Sequence, residues 1–535
     1  MRGHAKLVLT VLGITAIAYA LTRPASMREP EPVRFTAAQP QLFAAGGTLT
    51  DAWADIDSDG DPDRFVGFND APSRLYRNDG TAGFVDIASE LGRATERSVR
   101  TSAWGDFDAD GDPDLLLGYA GDAPVTALYR NDGERGFVEM AEEVGLLLNE
   151  GVTRQASWVD YDADGDLGLF LALRDRANRL YRNDLIGVSA PSSDGIDTAS
   201  FPDVTASSAG FTDVTETSGI GDPRRTVGAV WFDADQDGDL DVVTANMNGD
   251  ANGLWTQDLG SFTDVAGGTV IEGGGRSVGD EALGTVRPCV VDFDNDGRFD
   301  VFFANYGPND IARGTANGWV SVGGASGVAV DARYDSCAWG DFDNDGTNDL
   351  YVNGTVTGGV QYRDWLFRRE GGTTFIDVTP PELLELNSDH AATWVGYDLD
   401  GDLDLALTGV GDDGMHHLMQ NLLRPEFAGH SLKVRLLDEQ GGATRAGAEV
   451  RVYAAGTDRL LGSGLVDTGS GYDAQNDLPV HFGLPGAQPV DVVITLVGLG
   501  LRTTHTVGDV DPMQYRGRAL TVRVEFDRSG SGSGR

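Results

Sequence analysis

Residues 104–118 read WGDFDADGDPDLLLG, with Asp106, Asp108, Asp110, Asp112 and Asp114 on alternate positions around one glycine, Gly111. On a strand that alternation would crowd five carboxylates onto one face, where like charges oppose pairing. A loop wrapped around a hard cation removes the conflict. Ca²⁺ accepts six to eight oxygen ligands at flexible geometry, and the glycine permits the sharp turn. The twelfth position is Leu117, not the Glu that an EF-hand loop requires. Leu115–Gly118 is a short apolar run closed by Gly and reads as a buried strand. The loop is therefore expected to join two strands, with Asp114 as its last side-chain ligand.

The pattern recurs seven times. The first copy carries Asp55, Asp57, Asp59, Asp61 and Asp63, and the second is the one above. The third carries Asp160, Asp162, Asp164 and Asp166, with Gly168 at position nine. The fourth carries Asp233, Asp235, Asp237, Asp239 and Asp241. The fifth has Asp292, Asp294, Asp296, Arg298 and Asp300, and the sixth Asp341, Asp343, Asp345, Thr347 and Asp349. The seventh opens on Gly396 and continues with Asp398, Asp400, Asp402 and Asp404. Asp-Gly pairs also favour plain hairpin turns, but a turn needs one such pair and not a further set of carboxylates repeated seven times.

The elements that must position these loops recur in step. Trp lies two residues before the loop in six copies (Trp53, Trp104, Trp158, Trp231, Trp339, Trp394), and the fifth has Val290. A short apolar strand follows each loop. LYRND recurs from Leu75, Leu128 and Leu180, and a Phe-x-Asp-Val-like strand from Phe84, Phe211, Phe262 and Phe375. Four short strands in a unit of about 40–50 residues are the signature of a β-propeller blade, and residues 41–425 give seven units of about 55. The fold class predicted is all-β: a seven-bladed β-propeller followed by a small β-sandwich-like domain over 426–527.

The loop pattern Asp-x-Asp-x-Asp-Gly-x-x-Asp between strands resembles the FG-GAP/VCBS repeats of integrin α-subunit propellers. That resemblance implies Ca²⁺ bound by the side chains at loop positions 1, 3, 5 and 9 and by the main-chain carbonyl of position 7. In the second blade these are Asp106, Asp108, Asp110 and Asp114, with Asp112 giving its carbonyl. Arg298 and Thr347 at position 7 are compatible with a main-chain ligand. Gly168 and Gly396 each remove one carboxylate, so about seven Ca²⁺ sites are expected, with those of blades 3 and 7 the weaker.

The formal charge is −44, and the loops hold 31 of the 84 acidic residues. Such a chain repels nucleic acid. It is nevertheless 40% hydrophobic with nine Trp, enough to bury a core. Residues 1–20 read as a signal peptide, with an A-x-A-like Ala18-Tyr19-Ala20, or alternatively as an N-terminal anchor. No other stretch is apolar and long enough to span a membrane. Residues 21–40 read as a Pro-containing linker and 528–535 as a flexible tail. A secreted, extracellular or cell-envelope location follows, where millimolar calcium suits weak-affinity sites.

Cys289 and Cys337 lie three and four residues before their loops on adjacent blades. The parity allows them to face each other, but sheets pack about 10 Å apart and a disulfide wants Cα atoms within about 7 Å. A bridge and two buried thiols both remain open. The insertion 185–210 contains FPDVT at 201 and FTDVT at 211. Phe211 is expected to supply blade 3's outer strand, with the rest a surface loop. Blade 7 lacks a Phe strand of its own, and Arg34-Phe35-Thr36 is expected to complete it.

Turn-separated alternating strands after residue 426 read as a small sandwich. GAEVRVYAAG and GYDAQNDLPVHFGL there resemble the ASPIC/UnbV domain that follows such repeats in cartilage-acidic-protein-like secreted proteins. Where that family carries Trp-Pro-x-Gly, this chain has Leu496-Val497-Gly498-Leu499-Gly500.

Catalytic motifs are absent: there is no G-x-S-x-G, H-E-x-x-H, phosphate loop or Cys/His metal spacing. His390, His416, His417 and His481 read as structural or surface residues. The expected function is a secreted, calcium-rigidified module that binds an extracellular protein or glycan on the face opposite the loops, through connections such as 88–100 and 119–126. The alternative is a carbohydrate-active or other hydrolytic enzyme using that same face. It would require acid, base and Arg or His groups to converge there.

Overall fold

The computed structural model describes residues 32–91, 97–185, 210–273, 279–280, 282–384, 386, 390–411, 415–469 and 472–526. The signal or anchor segment, residues 186–209 of the insertion and the tail lie outside the described residues. No described helix is long and apolar enough to cross a membrane.

The repeat becomes seven blades of four antiparallel strands each. Blade 2 shows the pattern: Val99–Gly105, the Asp-rich loop, Asp114–Tyr119, Thr126–Asn131 and Phe137–Glu139. Its first two strands are almost wholly buried, because each blade is packed between two others and has no solvent face near the axis. The recurrent Trp joins neighbours. Trp158 Nε1 donates to Ala103 O of the preceding blade at 3.3 Å, and Trp394 Nε1 to Ala338 O at 3.2 Å. Gly105 makes room for this, since a Cβ there would lie 2.5 Å from the Trp158 ring.

Phe35–Ala37 pairs with Leu418–Asn421, Phe35 opposite Asn421, and completes blade 7. The ring is thus sealed by both of its ends, which removes an exposed edge. The linker read over 21–40 therefore gives way to a strand at Phe35. Phe211–Asp213 supplies the outer strand of blade 3. Blades 5 and 6 run together, Tyr306–Pro308 pairing with Asp331–Arg333. Their inner strands also carry the Cys289–Cys337 disulfide, with Cα atoms 6.2 Å apart. The general sheet spacing misleads at this point, because first strands converge towards the axis.

The second domain is a sandwich of a three-stranded and a four-stranded sheet. Ser431–Leu437 lies between Val480–Gly483 and Leu520–Arg523, while Glu449–Ala454 lies between Leu460–Leu465 and Val490–Gly498. Val434, Val450, Val452, Phe482, Val492 and Ile494 fill its core.

Candidate functional site

All seven loops share one backbone path. The fourth residue is left-handed in each (Ser58, Ala109, Ala163, Gln236, Asn295, Asn344 and Leu399, φ +52° to +67°), and the glycine at position 6 has φ of +89° to +109°. A non-glycine residue in that region costs about 1 kcal/mol or more and persists where the surroundings dictate it. Carboxylates supply much of that dictation. The position-5 side chain accepts from the position-7 N–H, as in Asp112 N to Asp110 Oδ1 at 3.0 Å. The position-9 side chain ties the loop to the blade, with Asp114 accepting from Phe107 N at 3.1 Å and from Asn131 N at 2.8 Å. Asp63, Asp241 and Asp300 repeat that pair of bonds.

Positions 1, 3 and 9 converge. Ligand atoms of Asp55, Asp57 and Asp63 lie within 4.8 Å of one another, as do those of Asp106, Asp108 and Asp114, of Asp233, Asp235 and Asp241, and of Asp292, Asp294 and Asp300. In blade 3, where Gly168 removes position 9, the converging set is Asp160, Asp162 and Asp164. A Cβ at Gly168 would lie 2.9 Å from Tyr181 O and 3.2 Å from the Tyr161 ring, so an Asp cannot simply be restored there. Burial, opposed by main-chain donors, pushes Asp106 up to about 7 and Asp114 up to about 9. Buried oxygens of Asp55, Asp106, Asp108, Asp233 and Asp294 have no hydrogen-bond partner. Clustered, desolvated carboxylates with spare lone pairs are the donor set of a hard cation, and these clusters could hold metal ions.

The second domain lies over this loop face. In blades 1 and 4 an arginine engages Oδ2 of the position-1 carboxylate: Arg435 to Asp55 at 3.3 Å, and Arg502 to Asp233. In blade 2 Ala443 N donates to Asp106 Oδ2 at 3.0 Å. Oδ1 of all three has no hydrogen-bond partner, so the docked domain takes one oxygen of each carboxylate and leaves the other. Arg445 lies 3.9 Å from Asp160. Gly500, in the stretch that departs from Trp-Pro-x-Gly, donates its N–H to Asp239 at 2.8 Å. In blade 6 His481 Nε2 meets Asn344 Oδ1 at 3.0 Å, and Gly483 leaves no room for a side chain against Asp341.

From this domain a segment enters the central channel. Thr468 O accepts from Trp158 N at 2.8 Å, Ala474–Gln475 pairs in parallel with Asp51–Ala52, and Asn476 accepts from Trp394 N. At the far end the inner strands of blades 1 to 6 each bulge six residues before their loop, at Leu49, Arg100, Arg154, Val227, Val286 and Asp335. Bulges re-aim side chains, and here several meet the segment's tip. Tyr472 packs on Val227 and Val286, and its hydroxyl accepts from Arg154 Nη1 at 2.9 Å. His390, six residues before loop 7, lies 3.0 Å from Asp473 and 3.4 Å from Asp335.

Acid, base and arginine groups thus converge on the face where an enzyme would need them. His390 and Tyr472 are, however, 4% and 6% exposed, and their rings meet edge-on with centroids 5.1 Å apart, so the cluster holds the channel segment in place. His416, donating or accepting at 2.8 Å from Tyr76 OH, is a buried structural residue.

Residues 55–117, 106–171 and 292–352 match the family model of the FG-GAP-like repeat. The chain carries FG-GAP-like repeats. Among curated proteins there is no match. Similar solved structures include a lectin of Agrocybe aegerita described as recognising non-reducing terminal N-acetylglucosamine, at 15% identity over 63% of this chain and 81% of that one, TM-score 0.38. Others are BBS1N in complex with ARL6DN, at 10% identity over 73% and 97%, TM-score 0.41, and Saccharomyces cerevisiae Sqt1, at 9% over 89% and 98%, TM-score 0.38.

Proposed function

We propose that the protein is a secreted, calcium-rigidified propeller that binds an extracellular protein or glycan with the face opposite its metal loops. Calcium, rather than a softer metal, is supported by donor sets built only from oxygen and by their repetition around the ring. The second domain, which resembles the ASPIC/UnbV domain, acts in this reading as a cap on the loop face. The observation that carries the reading is this capping: loops and channel are engaged from one side, so the broad face left for a partner is the other. That face carries arginines laid on aromatic rings, including Arg97 over Tyr119 at 3.9 Å and Arg363 over Trp365 at 4.0 Å, an arrangement suited to recognition.

A glycan-array and pull-down screen in calcium, with and without chelator, tests the reading. Binding that is lost in Trp365→Ala and kept in variants of the second domain's outer surface would support it. Binding that follows the second domain alone would overturn it.

A further inference from the structure

Lys433 is one of only two lysines in the chain, the other being Lys6; every other cationic side chain of fixed charge is an arginine. It lies on the first strand of the second domain and reaches loop 7, where its Nζ donates to Gly396 O at 3.0 Å. Gly396 holds position 1, the place of an aspartate in the other six loops. A Cβ on Gly396 would stand 2.6 Å from Lys433 Nζ and 3.1 Å from its Cε. The ammonium therefore fills the direction in which the opening carboxylate projects elsewhere.

The rest of loop 7 keeps the shared form, with Leu399 at φ +56° and Gly401 at φ +109°. It also keeps the demand for positive charge. Both carboxylate oxygens of Asp402 and Oδ2 of Asp404 are buried without a hydrogen-bond partner, in residues only 1% and 0% exposed. An ammonium is a compact point charge with three donors, whereas a guanidinium is a planar fork too broad for a metal-sized space. A lysine in a chain that otherwise uses arginine fits that distinction. Loop 7 has lost one anionic ligand and gained a cation beside the same spot, and both changes act against a divalent ion.

We propose that Lys433 is the resident cation of loop 7 and that this loop takes no metal ion. The inference rests on the calcium reading of the other loops. It makes closure of the ring depend on the docked domain at the one blade assembled from both ends of the propeller.

Calcium titration of the chelator-stripped full chain tests the first half. Asp400 is exposed, so Asp400→Asn is expected to fold and to bind as many equivalents as the wild type, while Asp108→Asn in blade 2 loses one. Loss of an equivalent in Asp400→Asn would overturn the proposal. A calcium-free double-mutant cycle between Lys433→Met and Asp400→Asn tests the second half, and the double variant should melt above the temperature that the two single shifts add up to. Strict additivity would overturn it. If Asp108→Asn loses no equivalent, the calcium reading of the loops fails, and the cycle still decides the role of Lys433.

Discussion

Gln475 of the second domain clamps both main-chain groups of Trp104 in blade 2: its Oε1 accepts from Trp104 N at 2.6 Å and its Nε2 donates to Trp104 O at 2.9 Å. The glutamine imitates one residue of a neighbouring strand at a depth where no water competes. Gln475→Leu keeps the volume and strands a buried N–H and C=O, each worth about 1–3 kcal/mol. Expected is a loss of about 2–6 kcal/mol on the same principle, seen as an earlier melt and faster proteolysis of the second domain. An unchanged melt would show that the channel segment is an ornament of the fold and not a fastening.

Calcium removal should destabilise the whole molecule. At ~1 mM calcium and a Kd of ~0.1 mM each occupied loop adds about 1.4 kcal/mol, so six loops add about 8 kcal/mol. Melting with and without EDTA checks this, and coincident midpoints would remove calcium from the account. Loop carboxylates shared with Arg435 and Arg502 predict that the second domain loosens first on chelation.

The channel lock should depend on pH. Burial disfavours the charged His390 imidazole, but Asp473 and Asp335 outweigh it and push the group up to about 9; Arg100, 3.3 Å from Nε2, is the opposing cation nearby. A pKa raised above the unfolded value contributes stability that is complete below about pH 6.5 and is lost as pH rises through about 9. The whole effect is about 3 kcal/mol. In saturating calcium, the wild type should lose melting temperature between pH 7 and 9.5, and His390→Gln should be less stable at neutral pH with a flatter profile. Parallel profiles would contradict the assignment.

Reducing the bridge between blades 5 and 6 should weaken the ring. Cys289 and Cys337 are 48 residues apart in sequence, and closing a loop of that length in the unfolded chain corresponds to about 4 kcal/mol. The double Cys→Ser variant should melt correspondingly earlier in calcium, and a reductant should not lower it further.

The propeller was legible because its signal is periodic: Trp, loop, apolar strand, LYRN strand. What those letters do between blades was less so. Asn78, Asn131, Asn183 and Asn421 each donate Nδ2 to the main-chain carbonyl at position 2 of the preceding loop (Tyr397, Ile56, Phe107 and Phe342), at 2.7–2.9 Å. The recurrence of the Asn was visible, but its partner lies in another repeat. Docking of the second domain was hidden for a related reason. Lys433 and Arg435 alternate with Leu432, Val434 and Leu436 as on any half-exposed strand, and nothing local marks their solvent face as an interface. The bulged ring was invisible because Arg100, Val227 and Asp335 share a structural position and no chemistry.

Closure of blade 7 by Phe35–Ala37 also fixes the order in which a newly made chain can be assembled. The strand Phe35–Ala37 has no partner until Leu418–Asn421 has been made, and the contact of Trp104 with Gln475 spans 371 residues. Contacts so distant in sequence form late, after the large entropic cost of loop closure. Until then Phe35–Ala37 stays an unpaired strand beside blades already made, the state in which β-rich chains associate wrongly.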